Sequence, residues 1–271
     1  MDKEKIKKIL LIVISALTLA ALALLLVIIV VSIAPGGIKG FEDYTVTDAN
    51  IKTGSLVLAD KDHPYSGSLS ADSLEVVGAY RDANLEKDAN DKPLNKYYMN
   101  EKSLMKLEKN AMSAAHNMLV AAEAAVKKDD LLIAYTYGYN LEDNEEYKTA
   151  LLMYLTNYEG TALDPAYAEW FDTNAASYGF IESFENGYRY VGVVHATYMK
   201  ANSMTLAQYI NHLKTNTSDE KPLKASANGV EYQIYYVACK AGDTIKVPSK
   251  NEYTISGTNE GGVIITVKVS K

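Results

Sequence analysis

Residues Ile9–Ala34, ILLIVISALTLAALALLLVIIVVSIA, run for 26 positions without a charge. A helix needs about 20 apolar residues to cross the hydrocarbon core of a bilayer. This run has no polar face with which to meet water. The sequence therefore predicts a transmembrane helix over 9–34, preceded by a short tail, 1–8. A cleaved leader is the competing reading, because Ser32, Ile33 and Ala34 put small residues ahead of Pro35. The apolar run is longer than the roughly 7–15 residues of a leader, and proline directly after the cut is a poor fit. Lys3, Lys5, Lys7 and Lys8 should hold the tail in the cytoplasm and send the bulk of the chain outward. That predicts a single-pass protein of the cell membrane.

The charge balance supports an acidic exterior part. The formal net charge is −7 over 271 residues, while the first eight carry four lysines against Asp2 and Glu4. The remainder is thus more acidic than the total suggests. This argues against nucleic acid as a partner and against a basic patch for anionic lipid. Cys239 is the single cysteine, so no intramolecular disulfide can form. It sits in a strand-like run and reads as a small packed residue.

After the apolar run, 35–53 reads as a polar stalk, and GSLVLADKDHPY (Gly54–Tyr65) as one short strand. Gly78–Pro93 is charged and aperiodic, a surface loop. Asn100–Lys128 reads as an amphipathic helix, with Leu104, Leu107, Ala111, Ala114, Met118, Ala122 and Ala125 on one face. Asn100 or Ser103 is its expected cap, and His116 falls on the solvated side. DLLIAYTYGY (Asp130–Tyr139) reads as a strand, followed by a helix from about Asp143, where Asp143 and Glu146 have capping-box spacing. Asp164 and Pro165 open a further helix that Gly179 ends. Asn186-Gly187 between two apolar runs is a strong hairpin signal. A helix carrying His195 follows, then one capped by Thr205.

From Pro222 the pattern changes to strand and turn. Val230, Tyr232, Ile234 and Tyr236 alternate with more polar residues, as do Val263, Ile265, Val267 and Val269. Asn228-Gly229, Gly242-Asp243 and Gly261-Gly262 mark turns. The expectation is a small all-β module over 222–271, packed on a main domain over 54–215 because a chain this short buries too little surface alone.

The order LVLADKDHPY, IAYTYGYNLEDNEEY, EWFDTNAASYGFI, YRYVGVVHATYM and MTLAQYINHL resembles the VanY-like D-alanyl-D-alanine carboxypeptidases. These are zinc peptidases that trim peptidoglycan stem peptides. The tail, with VEYQIYYVACKAGDT, resembles the C-terminal extension of Gram-positive members. The resemblance covers about Gly54–Lys271 and implies an α+β fold, an antiparallel sheet with flanking helices. It also implies a zinc held by the histidine and aspartate of a SEHxTGxAxD segment and by the histidine of EPWHFRYVG, with the glutamate of that motif as base. Such a set lowers the pKa of a bound water toward ~7.

Those active parts are missing from the matching positions. The first segment is expected between Thr156–Gly160 and Asp164, where only Thr161, Ala162 and Leu163 intervene. Asp164 is then the weak candidate for the aspartate ligand, with a helix cap as the plainer reading. The second segment is ENGYRYVG, one residue shorter and without histidine, so that Glu185 falls at the place of the base. The substrate arginine and the serine of the family's SGYRS fall on Asn140 and Tyr137. An amide does not replace a bidentate guanidinium. His63, His116, His195 and His212 form no metal-binding pair by spacing, and His195 matches a non-ligand histidine of the family.

The reading is a membrane-anchored extracellular pseudoenzyme without a cofactor. It would act as a non-catalytic binding or scaffold protein for peptidoglycan or an envelope protein. Twenty-one tyrosines against four phenylalanines suit a binding surface and a protein core equally well. The alternative is an active zinc D,D-carboxypeptidase with a rearranged metal site.

Overall fold

The computed structural model describes residues 37–87, 89–91, 97–139 and 143–269. The expected membrane helix over 9–34, its tail 1–8 and Asn140 lie outside them. No helix among the described residues is long and apolar enough to cross a membrane.

The segment expected as a stalk is folded. Strand β1 (Phe41–Thr45) pairs antiparallel with Thr244–Pro248 of the tail, Tyr44 opposite Ile245. Thr47 then caps the short helix α1 (Asp48–Lys52) in a capping box with Asn50. The interval 54–65 forms no strand, yet Leu56, Val57, Leu58 and Ala59 are buried in it as irregular chain. Strand β2 (Leu74–Val76) leads into helix α2 (Val77–Asn84), where a loop was expected. A tertiary contact stabilises that helix: buried Arg81 donates from Nη1 to the carbonyl of Tyr97 at 2.8 Å.

Strands β3 (Tyr98–Met99) and β4 (Lys106–Glu108) precede the long helix α3 (Lys109–Val126). The helix starts later than the periodicity suggests, because the Glu108 carboxylate caps it through the N–H groups of Asn110 and Ala111. Leu104 is exposed as a result. His116, expected in solvent, is buried with Nδ1 3.2 Å from the Tyr97 hydroxyl. Strand β5 (Leu131–Tyr135) follows. The helix expected from Asp143 is only a 3-10 turn, Glu145–Thr149, and the apolar residues after it form strand β6 (Leu152–Asn157).

Asp164 and Pro165 open helix α4 (Pro165–Asn174), and a 3-10 turn carries the chain to Gly179 at φ 90°. Strands β7 (Phe180–Phe184) and β8 (Gly187–Tyr190) form the expected hairpin, with Asn186 at φ 61°. Helices α5 (Val193–Ala201) and α6 (Leu206–Asn216) follow, the second closed by a Thr205–Gln208 capping box. The main sheet runs in the order β3-β5-β6-β8-β7 and is antiparallel except for the β3–β5 pair. Leu131, Ile133, Met153, Leu155 and Tyr188 pack with Ala111, Met118 and Phe171 of α3 and α4. The residues between them in sequence, Tyr154 and Arg189 among them, point to the other face.

The tail contains β9 (Leu223–Ala227), β10 (Val230–Ala238), β11 (Thr244–Pro248), β12 (Tyr253–Gly257) and β13 (Gly262–Lys268). Four of these form a sheet in the order β12-β13-β10-β9, and β11 is the partner of β1. A shared core of Leu56, Val191, Met199, Ile210, Ile234 and Ile264 joins this sheet to α5 and α6. Gly37–Lys271 is accordingly one compact unit with a mixed α+β fold.

Candidate functional site

The outer face of the main sheet carries a polar pair beside an aromatic stack. Asn144 accepts from the Glu146 N–H at the start of the 3-10 turn, and Ala150 ends that turn at φ 57°. This places the Glu146 carboxylate 3.0 Å from Nη1 of Arg189 on β8. Arg189 is 0% exposed; its Nη2 donates to the Val57 carbonyl at 2.5 Å, and its Nε has no hydrogen-bond partner among the described residues. Ser183 donates to both oxygens of Glu146, at 2.8 and 2.6 Å. Salt bridge and hydroxyl together offset the cost of withdrawing this carboxylate from water.

Next to it, Tyr154 on β6 lies directly opposite Gly187 on β8. A side chain at Gly187 has no room, since a Cβ there would stand 2.5 Å from Cζ of Phe184. The rings of Tyr139, Tyr135, Tyr154 and Phe184 stack in sequence, with centroids 6.2, 5.8 and 6.1 Å apart and planes inclined by 26°, 17° and 22°. Offset stacking at these distances is a favourable aromatic arrangement. The corner is filled by hydrocarbon.

The residues singled out from sequence do not converge. Asp164 caps α4 by accepting from the Ala166 N–H and forms an ion pair with Lys128. Lys128, then the capping N–H, holds its carboxyl below the usual range. Glu185 is exposed in the β7–β8 turn. Tyr137 is half-buried, and its carbonyl accepts from the Lys106 N–H. Asn140 is outside the described residues.

The four histidines are scattered. His63 lies between two carboxylates, with Nδ1 2.8 Å from Asp60 and Nε2 2.9 Å from Glu260. Its acceptors sit on opposite ring nitrogens and cannot share one cation with it. His195 is buried, with Nδ1 2.9 Å from the Tyr209 hydroxyl and Nε2 3.1 Å from Thr266 Oγ1, and burial pulls its pKa down to about 3. His212 lies 3.4 Å from the Tyr198 hydroxyl. Among the described residues, no group of three or more His, Cys, Asp or Glu side chains is placed to hold a metal ion.

No family model matches the chain. A curated D-alanyl-D-alanine carboxypeptidase of Enterococcus faecium is 36% identical over 112 residues, covering 36% of this chain and 36% of that protein. Over that stretch the chain is similar to a D-alanyl-D-alanine carboxypeptidase. It spans about a third of that relative's length in the match. The crystal structure of the vancomycin resistance D,D-dipeptidase VanXYg, bound to a phosphinate analogue of D-Ala-D-Ala, superposes with a TM-score of 0.65 at 18% identity. The superposition covers 85% of this chain and 100% of VanXYg. At that identity the likeness is one of fold. The vancomycin resistance D,D-pentapeptidase VanY in complex with Zn(II) gives a TM-score of 0.37 at 16% identity, over 58% of this chain and 99% of that one.

The VanY-like pattern SEHxTGxAxD also admits a register other than the gap after Gly160. Laid on Glu145–Tyr154, EEYKTALLMY, its glutamate and threonine fall on Glu146 and Thr149, and its glycine on Ala150. Ala150 keeps the left-handed conformation for which glycine is the usual residue. The histidine and aspartate positions are then Tyr147 and Tyr154. Counting back from Arg189-Tyr190-Val191-Gly192, the histidine of EPWHFRYVG falls on Gly187. Tyr154 and Gly187 oppose each other across β6 and β8, a placement from which two side chains can reach one point.

These three residues do not fit zinc, which takes thiolate, imidazole and carboxylate ligands. The sequence suggests a helix from about Asp143 and a first ligand segment after Gly160, so that reading does not reach them. The Glu-x-x-Thr spacing of Glu146 and Thr149 was the available signal.

Proposed function

We propose that the chain is a non-catalytic binding or scaffold protein built on the VanY-like fold. One observation carries this reading: the positions that match the metal ligands hold Tyr147, Tyr154 and Gly187, and the Phe184 ring fills the space above Gly187. Glu185, which falls at the place of the base only when the motif is shortened by one residue, is an exposed turn residue, and the ungapped count puts Phe184 there. The stack of Tyr135, Tyr154 and Phe184 supports a corner that has been repacked, since a disused ligand site left empty would destabilise the sheet.

The 26 uncharged residues at 9–34 and their lysine flank support a membrane anchor that leaves the folded part outside the cell. There it would hold peptidoglycan or an envelope protein of a Gram-positive wall without cutting it.

The test uses the purified full chain. Metal content is measured by plasma mass spectrometry, and release of D-alanine is followed from a peptide ending in D-Ala-D-Ala. The expected result is zinc far below one atom per chain and no release above the blank. Stoichiometric zinc together with release would establish the active carboxypeptidase instead.

A further inference from the structure

A second region has the form of a ligand site. A cleft of about 690 Å³ opens between the main sheet and the tail sheet, within the size range of small-molecule sites. Tyr190 of β8 enters from one side and Tyr232 of β10 from the other. Neither hydroxyl has a hydrogen-bond partner among the described residues, so both are open to a bound molecule. Burial first, then the nearby Glu108 carboxylate and Tyr232, raises the pKa of Tyr190, which keeps its hydroxyl protonated as a donor. Ser55, Ser68 and Ser70 add further hydroxyls to the lining.

The charges in the cleft select against an acidic ligand. Among its described lining residues Lys268 is the only lysine or arginine, and it lies 3.4 Å from Glu252. Glu108 is already committed to capping α3. A phosphate or carboxylate would meet two carboxylates and one compensated ammonium. The start of α5 borders the cleft without a side-chain cap at Gly192, which leaves backbone N–H donors for an uncharged carbonyl or hydroxyl oxygen. Tyrosine rings present an apolar face with a hydroxyl at one end. A sugar ring has the complementary form, with C–H faces and hydroxyl edges.

We propose that this cleft binds a neutral oligosaccharide. The inference deepens the reading of binding without cleavage, and it uses a place in the fold separate from the repacked metal corner. Tyr190 and Tyr232 come from the two halves of the unit, so the site exists only when the tail is docked.

The test is isothermal titration calorimetry of the full chain with N-acetylchitotetraose and cellotetraose as neutral probes. Inorganic phosphate and an acidic peptide ending in D-Ala-D-Ala serve as charged probes. Saturable binding of a neutral probe is expected. Tyr190→Phe and Tyr232→Phe should each weaken it by about fivefold to tenfold, the worth of one hydrogen bond. Tyr135→Phe, outside the cleft, should leave it unchanged. Thermal unfolding checks that each variant is folded. The proposal falls if neither neutral probe binds at millimolar concentration, if only phosphate or the peptide binds, or if the Tyr190→Phe/Tyr232→Phe variant binds like the parent. None of these outcomes alters the zinc and D-alanine result, so the two readings fail separately.

Discussion

Mild acid should weaken the protein through His195. Among the described residues only hydroxyls face its ring nitrogens, Tyr209 at 2.9 Å and Thr266 at 3.1 Å, and no carboxylate is hydrogen-bonded there to stabilise an imidazolium. Burial holds its folded pKa at about 3, whereas an unfolded histidine titrates near ~6.5. Between these values the unfolded chain binds more protons than the folded one, so stability is full above ~6.5 and falls as pH falls. Each unit is worth about 1.4 kcal/mol, which makes the loss at pH 5 about 2 kcal/mol.

The carboxyls of Asp60, Asp82, Glu145, Asp164 and Glu260 are held below their ordinary carboxylate values by their hydrogen-bond partners, and the parent–variant comparison cancels them. His116, also lowered by burial, acts in the same direction, and His63 in the opposite one. Comparison with His195→Gln, which keeps a donor and an acceptor, cancels both. Urea unfolding of parent and variant at pH 7, 6 and 5 is the assay. The parent should lose about 2 kcal/mol more than the variant between pH 7 and pH 5. Parallel losses would refute a neutral, buried imidazole as the source.

Two further outcomes follow from other pairs. Arg189→Met strands the Glu146 carboxylate and the Val57 carbonyl, and should cost about 3–5 kcal/mol. Adding Glu146→Met should recover part of that loss, and strict additivity in urea unfolding would disprove the coupling. His63 has its pKa raised by the Asp60 hydrogen bond and, further, by Glu260. Its contribution is therefore full below ~6.5 and disappears as pH rises through the folded value. Proton NMR should place its titration above 6.5, and a value at or below that would rule out the bridge between the Asp60 turn and the β12–β13 turn.

The Asp164-Pro165 and Thr205 helix starts, the Asn186-Gly187 turn and the strands β10 and β13 were legible from sequence, although β13 is buried on both faces where a half-buried strand was expected. For the caps, turn and strands the cause is local: a cap or a turn is satisfied within about four residues, and alternation needs only the pleat of one strand. The family resemblance was legible as well, because it rested on the order of such segments.

Other features depend on distant partners. Residues 41–45 form a strand because β11 offers them an edge, and Arg81 sits in a helix because the Tyr97 carbonyl receives it. LLMYLT has no alternation, being buried on both faces at most positions, so nothing local separates it from helix. Only when β6 is paired with β8 does Tyr154 meet Gly187, with Phe184 closing the space above. The sequence by itself determined which short segments could start, turn and alternate. The tertiary structure decided which side chains share a site, because that requires contacts between residues that one-dimensional order keeps apart.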